Sequence, residues 1–291
     1  MDDAGALPVV RLRPKANARR IRHGYPWIWA DELVTDRRTK ALAPGSLARL
    51  EDADRSFLGC VGVNTGSKIV ARMLDRTPDA MIDEAWFARR LSEAARVRQA
   101  LFDAPFWRWV HAEADRLPGV VIDRFGDTAV VQPNAAWADV RIEMLVDAIT
   151  KAGVPNVVVN GSGRARLLEG LDGGVAIARG AVSGPIAVPM NGAIYMADVL
   201  AGQKTGLFYD QRPNHAFAAK YAPDQHVLDL FCHVGGFGLA ALAAGAKSCL
   251  AVDASAFALE LARLGAHEMA AAHRLETVCG DVFDVVSRLA G

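Results

Sequence analysis

The sequence predicts an α/β protein built from a β-rich N-terminal module, a central α+β unit and a C-terminal βαβ unit. These span residues 1–78, 79–190 and 191–291. Three observations carry this reading. The first is the run Val227-Leu-Asp-Leu-Phe-Cys-His-Val-Gly-Gly-Phe-Gly238, followed by Ala251-Val-Asp253 and by Cys279-Gly-Asp281. An apolar strand, a glycine turn, a helix and a second strand ending in an acid form a nucleotide-binding βαβ pattern. The second is a hairpin signature at 120–132, and the third a series of short alternating strands between 46 and 74.

In the first module, Pro44-Gly45-Ser46 is a turn before the alternating Leu47–Glu51. Phe57–Val63 and Ile69–Leu74 are strand candidates separated by Asn64-Thr65-Gly66-Ser67. Asp75 to Pro78 is expected to be a linker. An amphipathic helix is expected from Glu84 to Phe102, burying Trp86, Phe87, Leu91, Ala94 and Ala95, with its arginines outward. Val120–Asp123 and Thr128–Gln132 then flank a turn at Arg124–Asp127. Ala136 to Lys151 is helical in pattern and stops at Gly153-Val154-Pro155. Asn156–Asn160 is a strand, and Gly170–Gly174 a turn. In the third unit, Ala193–Val199 is strand-like and 200–206 a polar loop. Asp210 suits a helix N-cap with Pro213 in the first turn, and that helix is expected to run to about Tyr221.

Composition narrows the class. The 291 residues are 52% hydrophobic and 23% charged, as in an ordinary globular protein. No run of about 18 uncharged apolar residues suggests a transmembrane helix, and the acidic start followed by arginines is unlike a secretory signal. A cytoplasmic location is expected. Cys60, Cys232, Cys249 and Cys279 have no CxxC spacing and read as buried free thiols, with no metal site. The 33 basic and 33 acidic residues balance, but Pro8 to Tyr25 holds Arg11, Arg13, Lys15, Arg19, Arg20 and Arg22 and no acid. Such a local patch is able to contact RNA phosphates, or to form a solvated helix face.

Gly236-Phe-Gly238-Leu-Ala-Ala241 formally satisfies the dinucleotide fingerprint G-x-G-x-x-A, with Asp253 near the ribose-binding spacing. Two features favour another ligand. Cys232-His233-Val234 intervene between the strand and Gly235, and Asp229 and Asp281 add acids to the first and third strands. S-adenosylmethionine fits this arrangement: a glycine loop admits its zwitterionic methionine part, an acid after the second strand accepts the ribose hydroxyls, and an acid after the third accepts from the adenine amine. The competing reading makes Asp253 and Asp281 helix N-caps.

Here the residues resemble a known family. The string from Val227 to Phe237 is similar to the cofactor loop of class I, Rossmann-like S-adenosylmethionine-dependent methyltransferases acting on large-subunit rRNA. The resemblance is to the bacterial 23S rRNA cytosine-C5 methyltransferases with an N-terminal PUA domain. Gly24-Tyr-Pro-Trp-Ile-Trp29 resembles the aromatic entry of that PUA domain, Leu117–Gly126 the hairpin of the central domain, and Lys204–Arg212 the segment before the methyltransferase core. The resemblance implies that Phe231, Gly235, Gly236 and Phe237 line the cofactor loop, that Asp253 holds the ribose, and that Asp281 and Val282 face the adenine. Lys204, Asp210 and Arg212 would border the pocket. It further implies large-subunit rRNA as partner, docked through the basic N-terminal segment, and leaves a homodimer open. His233 stands where the family commonly has tyrosine.

Cytosine C5 is a poor nucleophile, so the family adds a cysteine thiolate to C6 of a base splayed from its stack. The family's Asp-Pro-Pro and Ser-Cys-Ser-like motifs do not occur here, and no catalytic residue is assigned. Cys232, beside the glycine loop, reads as a space-filling thiol. The expectation is a chain holding only the first half of the methyltransferase domain, inactive alone, with strand Val227–Phe231 left as an apolar edge. Other functional readings are a guanine-N or uracil-C5 rRNA methyltransferase, a catalytically silent RNA-binding protein, and a nicotinamide-dependent oxidoreductase.

Overall fold

The computed structural model describes residues 7–78, 80–202 and 205–290. Among these, contacts divide the chain into two compact units: residues up to 103 with 108–181, and 104–107 with 182–291.

The first unit contains two five-stranded sheets. One is formed by β1 (Val9–Arg11), β2 (Trp27–Trp29), β3 (Ser46–Glu51), β4 (Phe57–Val63) and β5 (Ile69–Asp75), in the order β1-β3-β4-β5-β2. Short helices α1 (Ala18–Arg22) and α2 (Arg37–Lys40) lie between its strands, each capped by a side chain, Asn17 and Asp36 respectively. Alternation along β3 to β5 turns Ala48, Leu50, Val61, Val63 and Ala71 into a core completed by Ile21, Ile28 and Leu33. β1 and β2 are only three residues long, too short for an alternating pattern to be visible in the sequence.

Helix α3 (Glu84–Gln99) starts at the Asp83 N-cap and buries Trp86, Phe87 and Leu91 as expected. It ends before Phe102. Two expectations near it need correction. Asp75 is no linker residue: it closes β5, is buried, and accepts hydrogen bonds from Trp86 Nε1 (2.7 Å) and Arg90 Nη2 (3.0 Å). Arg90 consequently turns inward rather than outward, because a buried carboxylate needs a buried partner.

The second sheet has the order β10-β9-β8-β7-β6, from β6 (Phe106–His111), β7 (Val120–Phe125), β8 (Thr128–Pro133), β9 (Asn156–Asn160) and β10 (Val175–Arg179). The expected β7–β8 hairpin forms, but Arg124 and Phe125, expected in its turn, extend β7, and Phe125 pairs with Thr128 around Gly126-Asp127. The helical stretch 136–151 is in fact two helices, α4 (Ala136–Asp139) and α5 (Ile142–Lys151), separated at Val140-Arg141. The break lets the Arg141 guanidinium reach the carbonyls of Gly45 and Trp137. A one-turn helix α6 (Arg164–Leu167) precedes β10.

Tertiary contacts also change the meaning of the basic stretch. Glu51, Glu32 and Asp52 pair with Arg11, Arg20 and Arg22, and Arg13 Nε donates to the Leu33 carbonyl. Half of the six bases are thus neutralised by acids that the intervening chain brings to them.

The second unit starts with the hairpin β11 (Ile186–Met190) and β12 (Ala193–Ala197). It therefore begins at 182 rather than at the expected 191, since β11 has its partner in β12. After α7 (Arg212–Ala219) come β13 (His226–Leu230), α8 (Gly236–Ala243), β14 (Ser248–Asp253), α9 (Ala256–Glu268), β15 (Leu275–Cys279) and α10 (Val282–Ala290). The three strands are parallel, in the order β13-β14-β15. Helices cover both faces: Asp229 and Cys249 meet α8, whereas Leu230, Leu250, Val252 and Val278 pack on Val282 and Val285 of α10. β13 is an edge strand, with Leu228 and Phe231 exposed. Among the described residues no helix is long and apolar enough to cross a membrane.

Candidate cofactor site

The carboxyl ends of β13, β14 and β15 bring Phe231, Asp253 and Asp281 to one rim of the parallel sheet, where ligands of open α/β folds bind. The register makes this neighbourhood tight. Asp253 pairs with Cys279, and the Gly280 amide donates to the Asp253 carbonyl at 3.1 Å.

The turn between β13 and α8 is strained. Phe231, His233 and Gly235 all have left-handed backbones, with φ of 56°, 52° and 79°. That conformation suits Gly235 and costs roughly 1–2 kcal/mol at each of the other two. Asp253 helps to hold it: its Oδ2 accepts the His233 amide at 2.8 Å while its Oδ1 accepts the Ser255 amide at 2.8 Å. The α9 N-cap is Ser255, whose hydroxyl accepts the Ala258 amide, so Asp253 is not a cap. Asp281 is one. Its Oδ1 accepts the amides of Phe283 and Asp284 at the start of α10, at 2.9 and 3.1 Å. The two acids that look alike in sequence therefore differ, one tying two loops together and the other capping a helix.

Asp229 has a role the sequence reading did not give it. It lies inside β13, buried, and its Oδ2 accepts the Gly238 amide at 2.7 Å, with the Phe237 amide also directed at it. Burial pushes its pKa up to about 6, against the pull of those amides. A carboxylate from the strand thus occupies the electropositive start of α8, where a dinucleotide's pyrophosphate would sit.

The glycines answer to packing rather than to a phosphate. Gly236 and Gly238 lie inside α8, not in the turn. A Cβ at Gly236 would fall 2.5 Å from His215 Nε2, and one at Gly238 2.7 Å from Cys249 Sγ. Gly238→Ala should accordingly destabilise the second unit by about 1–2 kcal/mol, the typical effect of an overpacked methyl. A thermal melt unchanged from the parent protein would contradict this.

His215 itself escaped the sequence reading, because nothing in its local context distinguishes it from a surface residue of α7. It is buried, stacked on Tyr195 (centroids 6.0 Å apart) and met edge-on by Phe237 (4.6 Å). Tyr195 in turn donates its hydroxyl to the Gly236 carbonyl at 3.2 Å. Burial lowers the His215 pKa, so the imidazole is neutral and acts as a wall behind the loop. His233 places its ring edge-on to Phe208 at 5.1 Å.

The remaining expected residues are distributed as follows. Phe231 is exposed and its ring lies 6.0 Å from that of Phe283. The side chain of Val282 is buried in the cluster with Val252 and Val285, leaving it no exposed apolar surface to offer a ligand. Asp210 is not a helix cap: it sits in a 3-10 turn, Tyr209–Gln211, and α7 begins at Arg212 with Gln211 before it. Arg212 Nη1 donates to the Phe106 carbonyl at 3.2 Å. Lys204 lies outside the described residues.

Cys60, Cys232 and Cys249 are buried, and burial pushes their thiols up to about 11, 12 and 12. A thiol in that range is not a nucleophile near neutral pH. Cys279, expected to be buried, is exposed because it ends the edge strand β15. Native protein treated with iodoacetamide at pH 8 should therefore take up one label per chain, and denatured protein one on each of the four cysteines. Labelling of Cys232 in the native state would refute its inertness.

Comparison with known proteins agrees with this geometry. Residues 10–76 match the PUA-like domain family, and residues 181–286 match the S-adenosylmethionine-dependent methyltransferase family. The chain is 36% identical over 259 residues to a ribosomal RNA large subunit methyltransferase I of Alteromonas mediterranea, and 32% identical over 266 residues to that of Cronobacter sakazakii. The alignments cover 87% and 88% of this chain but 64% and 65% of those proteins. The chain thus spans slightly less than two thirds of the length of the curated relatives it matches. Among solved structures, a SAM-dependent methyltransferase from Streptococcus mutans superposes with a TM-score of 0.78 at 18% identity, covering 98% of this chain and 73% of that one. A methyltransferase complexed with SAH superposes with a TM-score of 0.77 at 18% identity, with the same coverage. The fold is therefore α/β, with an N-terminal PUA-like domain and a methyltransferase domain of the kind that uses S-adenosylmethionine.

Proposed function

We propose that this chain is the RNA-docking and cofactor-holding part of an S-adenosylmethionine-dependent methyltransferase acting on large-subunit rRNA, with C5 of a cytosine as the methylated position. The observation that carries the choice of cofactor is the Asp229 carboxylate at the start of α8. A second anion there would be repelled, which disfavours a pyrophosphate, whereas a phosphate-free cofactor makes no such demand. The rRNA and cytosine parts of the reading are supported by the similarity to the two ribosomal RNA methyltransferases and by the sequence resemblance described above.

In this reading Asp253 accepts the ribose hydroxyls through the lone pairs left by its two amide bonds. Asp281 retains Oδ2 for the adenine amine while Oδ1 caps α10, and Val282 contributes backbone only. Phe231, Gly235, Gly236 and Phe237 shape the loop, with Asp210, Arg212 and Lys204 assigned to the border of the pocket. Bound S-adenosylmethionine would supply an electrophilic methyl group. No residue of this chain is assigned as the nucleophile, since the buried thiols are held protonated and Cys279 lacks the flanking serines of the family's motif.

Titration calorimetry of the 291-residue chain tests the cofactor. S-adenosylmethionine is expected to bind and NAD to give no heat of binding; a preference for NAD would sink the proposal.

A further inference from the structure

The first unit contains a cleft of about 620 Å³ that the cofactor chemistry leaves unused. It lies between the end of β5, the face of α3 and the turn after β6, and meets the basic N-terminal stretch only at its end, at Gly24. Its charges do not balance. Asp75 and Glu113 are its acids, and both are already engaged: Asp75 by Arg90 and Trp86, Glu113 by Trp27 Nε1 (2.7 Å) and by Arg72 at 3.6 Å. Three further guanidinium groups line the same space. Arg89 has no carboxylate partner among the described residues. Among the described residues Arg76 has a 3.5 Å contact to the Tyr25 carbonyl and no carboxylate partner, and Arg116, largely exposed, lies 3.9 Å from a Glu93 that is closer to Arg90.

Gly24 and Pro26 form one wall of the cleft. Beside them, Trp27 Nε1 donates to the cleft's acid Glu113, and the Tyr25 carbonyl meets Arg76. The three surplus guanidinium groups come from three separate elements, the end of β5, α3 and the turn after β6, so they suit successive phosphates of a single-stranded nucleic acid. A small anion would need only one or two of them.

We propose that this cleft binds the sugar-phosphate backbone of a single-stranded RNA segment, with Arg76, Arg89 and Arg116 on successive phosphates. The inference rests on the RNA reading above and adds the surface that does the docking. It shifts the main contact from the N-terminal stretch, half of whose bases are internally paired, to three arginines of which, among the described residues, only Arg116 approaches a carboxylate, and that at 3.9 Å.

The test is fluorescence anisotropy of the whole chain with a labelled single-stranded RNA of mixed sequence across a salt series. Each phosphate contact contributes about 0.7 to the slope of log K against log salt, or about fivefold in affinity at 0.1 M. Arg89→Ala/Arg116→Ala is expected to lower the slope by about 1.4 and the affinity by about 25-fold, equally for two unrelated sequences. Arg89→Lys/Arg116→Lys should retain most of the slope, and Arg263→Ala, on α9, should match the parent protein. Both cleft arginines are exposed, so an unchanged melting temperature separates lost contacts from lost folding. Full RNA binding by the double alanine variant would overturn the cleft assignment and leave the RNA reading standing. Absence of RNA binding by the parent protein would overturn both. Inorganic phosphate bound by the parent and lost in the variant, without RNA binding, would make the cleft a small-anion site and also refute the proposal.

Discussion

Glu169→Ala is expected to destabilise the first unit by about 3–5 kcal/mol, the scale seen when one member of a buried ionic network is removed. The carboxylate is 3% exposed. Its Oε1 accepts from Ser67 Oγ (2.8 Å) and Arg72 Nη2 (2.8 Å), and its Oε2 from Asn64 Nδ2 (3.0 Å) and the Ala136 amide (3.3 Å). Truncation would leave the buried Ser67 hydroxyl without its acceptor, Asn64 Nδ2 with only the residue-169 carbonyl, and Arg72 nearly buried without that carboxylate. Glu169→Gln keeps the shape and one acceptor, so it should lose less.

Burial alone would raise the Glu169 pKa, but Arg72 and the Asn64 and Ser67 hydrogen bonds outweigh it and hold the carboxyl below its ordinary value of 4.5. The sign follows from linkage. The native state binds the proton less readily than the unfolded chain, so the stabilisation is complete above the unfolded value and disappears as pH falls through the lower native one. Urea titrations of the parent protein and the alanine variant should therefore converge toward low pH. A difference under about 1 kcal/mol at pH 7 would show that the network is dispensable.

Asp253→Ala is expected to weaken S-adenosylmethionine binding by about 1–3 kcal/mol, the range for losing a hydrogen bond to a charged acceptor, or roughly 5- to 150-fold in Kd. Two effects combine. In the proposed reading the ribose hydroxyls lose their acceptor, and the His233 amide loses the bond that holds a left-handed residue in the loop. Ser255→Ala removes the adjacent helix cap without touching the carboxylate, so it should lower the melting temperature and spare affinity. Calorimetry paired with melting curves separates these outcomes. Unchanged affinity in the alanine variant would reduce Asp253 to a turn residue.

Much of the local structure was legible from residue patterns. The β7–β8 hairpin, the strands Phe57–Val63 and Asn156–Asn160, the glycine turn after β13 and the acid ending β14 all follow from neighbours a few positions apart. The break at Val140-Arg141 did not, because it answers to a carbonyl at Gly45, far away in the chain. For the same reason the inward turn of Arg90 and the pairing of Arg11, Arg20 and Arg22 were invisible.

The cofactor rim divides along the same line. Order of strands, the glycine turn and three acids at βαβ spacing were determined by the sequence itself, since each is a short-range pattern of hydrophobicity, turn chemistry and capping. Which acid does what was decided only by tertiary structure. Asp281 became a cap, Asp253 a clamp between loops, Asp229 a buried counter-charge to α8, and His215 the wall that requires glycine at 236. Burial and long-range hydrogen bonding set those roles, and neither exists until the chain has folded.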